Sequence, residues 1–194
     1  MSEFAFYFDL GLDHILDLLA YDHIAFIIAL AARYQISDWK KVLILVTAFT
    51  IGHSVTLALA TLKLIAVNMD LVEFLIPVTI FITAITNLLV DEKSIHHRKL
   101  NINYVLAGLF GLVHGLGFSN YLQAILGKDE SIIGQLFAFN VGLEAGQIII
   151  VAIFLAIAFL AVSIFGVLRR DWKMIVSSIV AGAAFTLMMD AVFW

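Results

Sequence analysis

Six long apolar stretches, separated by short charged segments, constrain this chain more than any other feature. They lie at roughly 11–33, 42–65, 71–90, 102–126, 132–168 and 174–193. A helix needs about 20 mostly apolar residues to cross the hydrocarbon core of a membrane, and each stretch is long enough. Hydrophobic residues make up 63% of the chain and charged residues 13%, which is too apolar a balance for a soluble domain. We therefore expect one all-α domain over residues 1–194, a polytopic membrane bundle of about six transmembrane helices.

The positive charges alternate between the ends of these stretches. Three basic residues follow each of the first, third and fifth stretches, and one follows each of the second and fourth. In chain order they are Arg33, Lys40 and Lys41; Lys63; Lys93, Arg98 and Lys99; Lys128; and Arg169, Arg170 and Lys173. Loops rich in Lys and Arg stay in the cytoplasm. The alternation predicts both termini outside and the odd-numbered loops inside, in a multi-pass protein of the bacterial cytoplasmic membrane whose helices contact the lipid bilayer.

Composition excludes several classes of function. The chain has no cysteine, so disulfides, thiolate metal sites and Cys nucleophiles are ruled out. A net charge of −4 provides no basic surface for nucleic acid. No ATP-binding motif is present, so transport would have to be driven by the membrane potential or by a coupled proton. The sequence does not indicate an oligomeric state.

Five ionisable side chains on four predicted helices fall near the middle of the membrane. Counted from a charged residue at one end of the stretch, each lies 10 to 15 residues in: Asp22 and His23 from Arg33, His53 from Lys41, His114 from Lys99 and Glu144 from Glu130. An unpartnered charge at this depth costs about 2.5–3.5 kcal/mol on insertion scales. We therefore expect the five to face the bundle interior and share one site.

The residues around these five have spacings that suit a shared site. Asn140, Glu144 and Gln147 fall on one helical face, and Ser54 adjoins His53. Glycines four residues apart, a spacing that lets helices pack closely in lipid, flank two of the ionisable residues. They are Gly111 and Gly115 around His114, and Gly142 and Gly146 around Glu144.

Imidazoles and carboxylates together suit a borderline divalent cation such as Ni²⁺, Co²⁺, Zn²⁺ or Fe²⁺. The absence of thiolates disfavours Cu(I), although Met188 and Met189 leave that ion open. Other roles for single residues also stay open at this point. Each histidine could serve as a structural hydrogen-bonding group, Asp22 could orient His23, and Glu144 could relay protons instead of binding metal.

Acidic residues near the predicted outer end of the first stretch offer an entry for cations. The spacing is four residues from Asp9 to Asp13 and again to Asp17, and His14 lies among them. Such a mouth would concentrate cations electrostatically, although a solvated helix face has the same pattern.

Four segments resemble the HupE/UreJ family of membrane proteins, in order and over essentially the whole chain. They are YDHIAFIIAL (21–30), FTIGHSVTLALA (49–60), GLVHGLGFSNYL (111–122) and FNVGLEAGQ (139–147). Members are regarded as nickel or cobalt permeases, so the resemblance implies metal transport. It matches the family's Asp-His pair to Asp22 and His23, its next two histidines to His53 and His114, and its acidic residue to Glu144. The gap from His14 to that pair is longer than usual and lacks a glycine, so His14 is placed with the supporting or pathway residues.

The sequence thus predicts a permease for a divalent transition-metal ion, most simply nickel or cobalt. The predicted ligands are Asp22, His23, His53, His114 and Glu144, and the supporting or pathway residues are Asp13, His14, Asp17, Ser54, Asn140 and Gln147. An intramembrane metalloenzyme, a zinc or di-metal hydrolase with Glu144 as general base, could use the same cluster. A structural subunit held together by these polar residues is the third alternative.

Overall fold

The computed structural model describes residues 2–90, 100–125 and 132–194, and every regular element in these ranges is helical. Its α-helices are α1 (Glu3–Leu16), α2 (Asp22–Ala31), α3 (Trp39–Thr61), α4 (Met69–Leu89), α5 (Leu100–Gly117), α6 (Ser119–Ile125), α7 (Ile132–Phe159) and α8 (Arg169–Asp190). A 3-10 turn at Ile36–Asp38 precedes α3, and a π-helical segment at Leu160–Ile164 continues α7. Lys93, His96, His97, Arg98, Lys99, Lys128 and Glu130 lie outside the described residues.

The helix ends follow from local chemistry. The Ser2 hydroxyl accepts a hydrogen bond from the Ala5 N–H at the start of α1, and the Asn68 side chain does the same for Leu71 at the start of α4. Gly166 has φ +72°, a left-handed conformation that ends the long α7 stretch without a Cβ penalty.

Four helices are long and apolar enough to cross a membrane: Ile36–Thr61, Met69–Leu89, Ile132–Ile164 and Arg169–Asp190. The helices Asn103–Gly117 and Ser119–Ile125 form a fifth candidate span, bent by 48° at their junction. The predicted fifth stretch, 132–168, changes from an α-helix to a π-helix near its end, at Leu160–Ile164. The chain is a multi-pass membrane protein with four to five candidate spans, so the predicted count of six is not confirmed.

The first predicted span, 11–33, is wrong as a single helix. α1 begins earlier, at Glu3, and ends at Leu16, and α2 begins only at Asp22. Between them an Asp17 carboxylate oxygen accepts the Leu19 N–H at 2.8 Å. This bond takes the chain out of the helical conformation. At 10 residues, α2 is about 15 Å long, half the thickness of a bilayer core.

The helices pack most extensively as three pairs, α3 with α5, α1 with α7, and α4 with α8. The short helix α2 lies among them and contacts α1, α3, α4, α7 and α8. Most of its residues, including His23 and Phe26, are buried. The first residues of α2 are therefore held inside the bundle, at the broken point of the first predicted span.

Glycines bring two of these pairs into backbone contact. A Cβ added at Gly52 of α3 would collide with the Gly108 carbonyl of α5, and one at Gly111 or Gly115 would collide with a carbonyl of α3. In the same way, a Cβ added at Gly11 of α1 would collide with a carbonyl of α7, and one at Gly142 of α7 would collide with a carbonyl of α1. The close packing that the glycine spacing predicts is confirmed for Gly111, Gly115 and Gly142.

We predict that Gly52→Ala destabilises the protein by about 1–3 kcal/mol, because the added methyl forces α3 away from α5. Gly182→Ala is the matched control, since a Cβ there meets nothing within 4 Å and lies inside α8. Thermal unfolding of both variants in detergent measures the effect. Equal melting temperatures for the two variants would contradict the proposed role of the glycine contact.

Candidate metal centre

Four of the six histidines, each from a different helix, meet inside the bundle. His14 comes from α1, His23 from α2, His53 from α3 and His114 from α5. Ring centroids of His23 lie 4.7 Å from His14, 5.8 Å from His53 and 5.3 Å from His114. His53 and His114 are fully buried, and His23 is 4% exposed. The predicted convergence of His23, His53 and His114 therefore occurs.

His14 lies inside this cluster, closer to its centre than its assignment as a supporting residue suggested. A ligand atom from each of His14, His23 and His53 lies within 4.8 Å of the other two. A second group, whose ligand atoms also lie within 4.8 Å of one another, consists of Asp22, His23 and His114. His23 belongs to both groups, so the two sets of donors adjoin each other.

Asp22 fixes the ring of His23. Its Oδ1 atom accepts the His23 backbone N–H at 2.8 Å and lies 3.1 Å from His23 Nδ1. A carboxylate only accepts hydrogen bonds, so the proton of the neutral ring belongs on Nδ1. Nε2 is then the unprotonated nitrogen of His23 and carries the available lone pair. The alternative that Asp22 orients His23 agrees with this contact, and the other oxygen of Asp22 can still serve as a ligand.

Thr79 of α4 fixes the ring of His114. The Thr79 hydroxyl donates to the Ile76 carbonyl at 2.7 Å and lies 2.9 Å from His114 Nε2. Because its one proton goes to Ile76, Thr79 accepts from His114, which places the ring proton on Nε2. The lone pair of His114 is then on Nδ1. Thr79, Thr83 and Thr86 form a stripe in the third apolar stretch, and this pattern is a sequence signal for the contact that does not single out Thr79.

The imidazole nitrogens that make no hydrogen bond are the atoms of the cluster that could bind a cation. Among the described residues, five buried imidazole nitrogens have no hydrogen-bond partner: His14 Nε2, His23 Nε2, both nitrogens of His53, and His114 Nδ1. A buried polar atom without a partner costs about 1–3 kcal/mol. A cation bound by the imidazole lone pairs would remove that cost. The donor set, neutral imidazoles and one carboxylate, fits a borderline divalent transition metal.

Aromatic rings close the cluster on two sides. Phe118, at the bend between α5 and α6, lies 4.0 Å from His14 and 5.2 Å from Phe139, measured between ring centroids. On the other side Phe26 lies 4.9 Å from His114 and 4.8 Å from Phe49. The phenylalanines exclude water from the imidazoles, a role that the sequence analysis did not assign to them.

Glu144 lies outside both groups of donors among the described residues. Its Oε1 atom accepts a hydrogen bond of 2.5 Å from Thr47 Oγ1. The two predicted supporting residues of α7, Asn140 and Gln147, also face hydroxyls of α3. Thr50 donates to Gln147 Oε1 at 2.7 Å, and Ser54 donates to Asn140 Oδ1 at 2.6 Å. These three pairs form one polar seam between α3 and α7. The ligand role predicted for Glu144 stays a prediction.

Asp13 and Asp17 lie on the exposed surface of α1 and at its end. They share this helix with His14, whose ring points into the cluster. Asp9 and Asp190 are also exposed. Asp9, Asp13 and Asp17 are therefore close in sequence to His14, but none of these carboxylates belongs to either donor group of the described residues.

Comparison with known proteins adds one positive finding. A family model described as HupE / UreJ protein matches residues 1–194, the whole chain. No curated protein and no solved structure matches the chain significantly. With its apolar helices and its buried histidine cluster, the chain is a multi-pass membrane protein that belongs to the HupE/UreJ family.

Proposed function

We propose that the protein is a permease for a divalent transition-metal ion, with nickel or cobalt as the preferred substrate. The observation that carries this proposal is a set of four imidazoles from four helices, each with at least one buried ring nitrogen that has no hydrogen-bond partner among the described residues. Zn²⁺ and Fe²⁺ suit the same donors, so the preference for nickel or cobalt rests on the family. The metal is cargo here, held for a time and released.

The relative directions of the packed helices support six alternating passes. α1 and α7 run the same way, since Glu3 bonds Gln135 at one end and Ile15 meets Gly146 at the other. α4 and α8 run in opposite directions, because Lys173 donates to Val90 while Phe74 contacts Trp194. We propose that α1 and α2 together make the first pass and α5 and α6 the fourth, with both termini outside. The basic segments would then face the cytoplasm of a bacterial cell.

In this topology the two donor groups lie one after the other along the path of the ion. His14 contacts Phe118 and Phe139 on the side from which α1 enters the bundle, and His114 contacts Phe26 and Phe49 on the opposite side. An ion held by His14, His23 and His53 can pass to Asp22, His23 and His114 without leaving His23. The shared ligand keeps the ion coordinated during the transfer, which avoids a bare charge in the membrane.

The aromatic layers act as the two closures of the pathway. Phe118 and Phe139 would move for entry, and Phe26 and Phe49 for release to the inner side. Asp13 and Asp17 would attract the cation to the outer end. A membrane potential of 100 mV supplies roughly 2.3 kcal/mol per charge, and about twice that for a divalent ion. Inward movement therefore needs no ATP.

We expect His53→Ala to lower metal affinity more than about 100-fold, since loss of even a supporting partner costs about 10–100-fold. Thr186→Ala is the control, because Thr186 bonds only Gly182 within α8, which contributes no ligand. Isothermal titration with Ni²⁺ in detergent measures affinity, and uptake into proteoliposomes measures flux. Metal that stays bound without flux, together with turnover of a substrate, would indicate an enzyme. A wild type that binds no metal, together with a His53→Ala variant that fails to fold, would indicate a structural subunit.

Thr79→Val tests whether the hydrogen bond to His114 matters, because valine keeps the shape and removes the hydroxyl. We expect a loss of about 10–100-fold in metal affinity, the usual effect of removing the partner of a ligating histidine. Thr83→Val is the matched control on the same helix, since the Thr83 hydroxyl bonds only the Thr79 carbonyl. Equal affinities for the two variants, measured by the same titration, would refute the assigned orientation of the His114 ring.

Glu144→Gln separates the ligand role of Glu144 from a role outside the donor groups. Glutamine still accepts the Thr47 hydrogen bond, so the polar seam should persist. We expect this variant to bind the wild-type stoichiometry of Ni²⁺ with affinity within about threefold, because the imidazole ligands are unchanged. Elemental analysis of the purified protein gives the stoichiometry. A variant that binds less than half of the wild-type metal would restore Glu144 to the ligand set.

A further inference from the structure

A second polar site lies at the opposite end of α2 from His23. A cavity of about 130 Å³ opens between the segment that follows α2, the end of α7 and the start of α8. It shares no residue with the histidine cluster. Three cationic residues line it, one from the α2–α3 segment and two from α8: Arg33, Arg169 and Lys173.

The charges around this cavity do not cancel among themselves. Asp38 is the one carboxylate among the lining residues, and its Oδ1 atom already accepts a bond of 2.6 Å from Lys41. The Lys173 ammonium, on a residue 5% exposed, donates to the Val90 carbonyl at 2.7 Å and has two further protons to donate. The like charges of Arg169 and Lys173 repel each other on this cavity unless an anion joins them.

A neutral donor faces the same cavity. Trp172 lines it, and its buried Nε1–H has no acceptor among the described residues. The Trp172 ring packs against Phe154 at 5.9 Å, so the donor is held in place. Because a buried N–H without an acceptor costs free energy, the position of Trp172 calls for an acceptor in the cavity. An anion with several oxygens would accept from Trp172 and the cations together.

The backbone around the cavity favours the same ligand. The first turn of α8 contributes Arg169 and Trp172, and the amide groups at a helix N-terminus attract anions. The π-helical segment contributes Val162 and Ser163. π-helical turns inside longer helices occur frequently at functional sites.

We propose that this cavity binds the phosphate group of an anionic phospholipid at the inner surface of the membrane. Tyr34, Trp172 and the exposed Trp39 lie at this end of the bundle, and Tyr and Trp are typical of the level of the lipid head groups. Basic pockets between transmembrane helices on the cytoplasmic side are known to bind such head groups. The site does not depend on metal transport and would exist in a protein that moved no ion.

The experiment compares two neighbouring arginines in the full-length protein. Arg169 lines the cavity, whereas Arg170, the next residue, does not. Native mass spectrometry after reconstitution with equal amounts of phosphatidylglycerol and phosphatidylcholine measures which lipid stays bound. We expect the wild type to retain phosphatidylglycerol, Arg169→Gln to retain about tenfold less, and Arg170→Gln to stay within about twofold of the wild type.

Trp172→Phe is the second variant, since it keeps the ring against Phe154 and removes only the N–H. It should also reduce phosphatidylglycerol retention, while its melting temperature in phosphatidylcholine and its Ni²⁺ stoichiometry remain those of the wild type. Equal losses in Arg169→Gln and Arg170→Gln would overturn the site, because they would indicate general attraction to a negative surface. Equal retention of the two lipids by the wild type would overturn the proposal that the ligand is an anionic phospholipid.

Inorganic phosphate distinguishes a lipid from a free anion. Under the proposal, phosphate added to detergent-solubilised protein leaves its melting temperature unchanged, and only phosphatidylglycerol raises it. Stabilisation by phosphate that is lost in Arg169→Gln and Trp172→Phe, without retention of phosphatidylglycerol, would assign the cavity to a free phosphate and overturn the lipid. Absence of both effects would overturn the anion site altogether.

Discussion

The close approach of α3 to α5 is the contact on which the rest of the site depends. Gly111 and Gly115 of α5 lie directly against backbone carbonyls of Phe49 and His53. His114 lies between these two glycines, so the contact that holds the helices together also helps to place both His53 and His114 beside His23. A larger residue at either glycine would separate the two imidazoles as well as the helices. In a membrane, where apolar surface gives no preference for protein over lipid, such close packing is the main source of helix association.

The sequence predicted the convergence of the histidines because depth in a membrane can be counted along each helix. Residues 10 to 15 positions from a charged end must lie near the same level, and small residues beside them indicate which face meets a neighbour. Counting does not give the direction in which a side chain points around its helix. Glu144 shows this limit, since it has the expected depth but its carboxylate bonds Thr47 on the polar seam.

The break in the first span could not be predicted from hydrophobicity. Leu18, Leu19 and Ala20 continue the apolar pattern through the break, and only Asp17, which captures the Leu19 N–H, interrupts the helix. The side chains of Leu18 and Leu19 are exposed at the break, and the freed Leu19 N–H is satisfied by Asp17. The break allows Asp22 and His23 to begin a new helix, so that His14 and His23 approach from two directions. The same break explains why His14 joins the cluster although its spacing from His23 is unusual.

Under the proposed function, the balance of charge in the centre agrees with an ion that is held for a time and then released. Neutral imidazoles contribute no charge, and Asp22 is the one carboxylate in the two donor groups of the described residues. A divalent ion bound there keeps an uncompensated positive charge within the membrane, which weakens its binding. A resident metal would be better served by a second carboxylate, whereas a cargo ion must be able to leave. The carboxylate of Glu144, held by Thr47 outside the donor groups, leaves this imbalance in place. Under the proposed function, the centre therefore combines several lone pairs that suit a transition metal with a single carboxylate among the described donors.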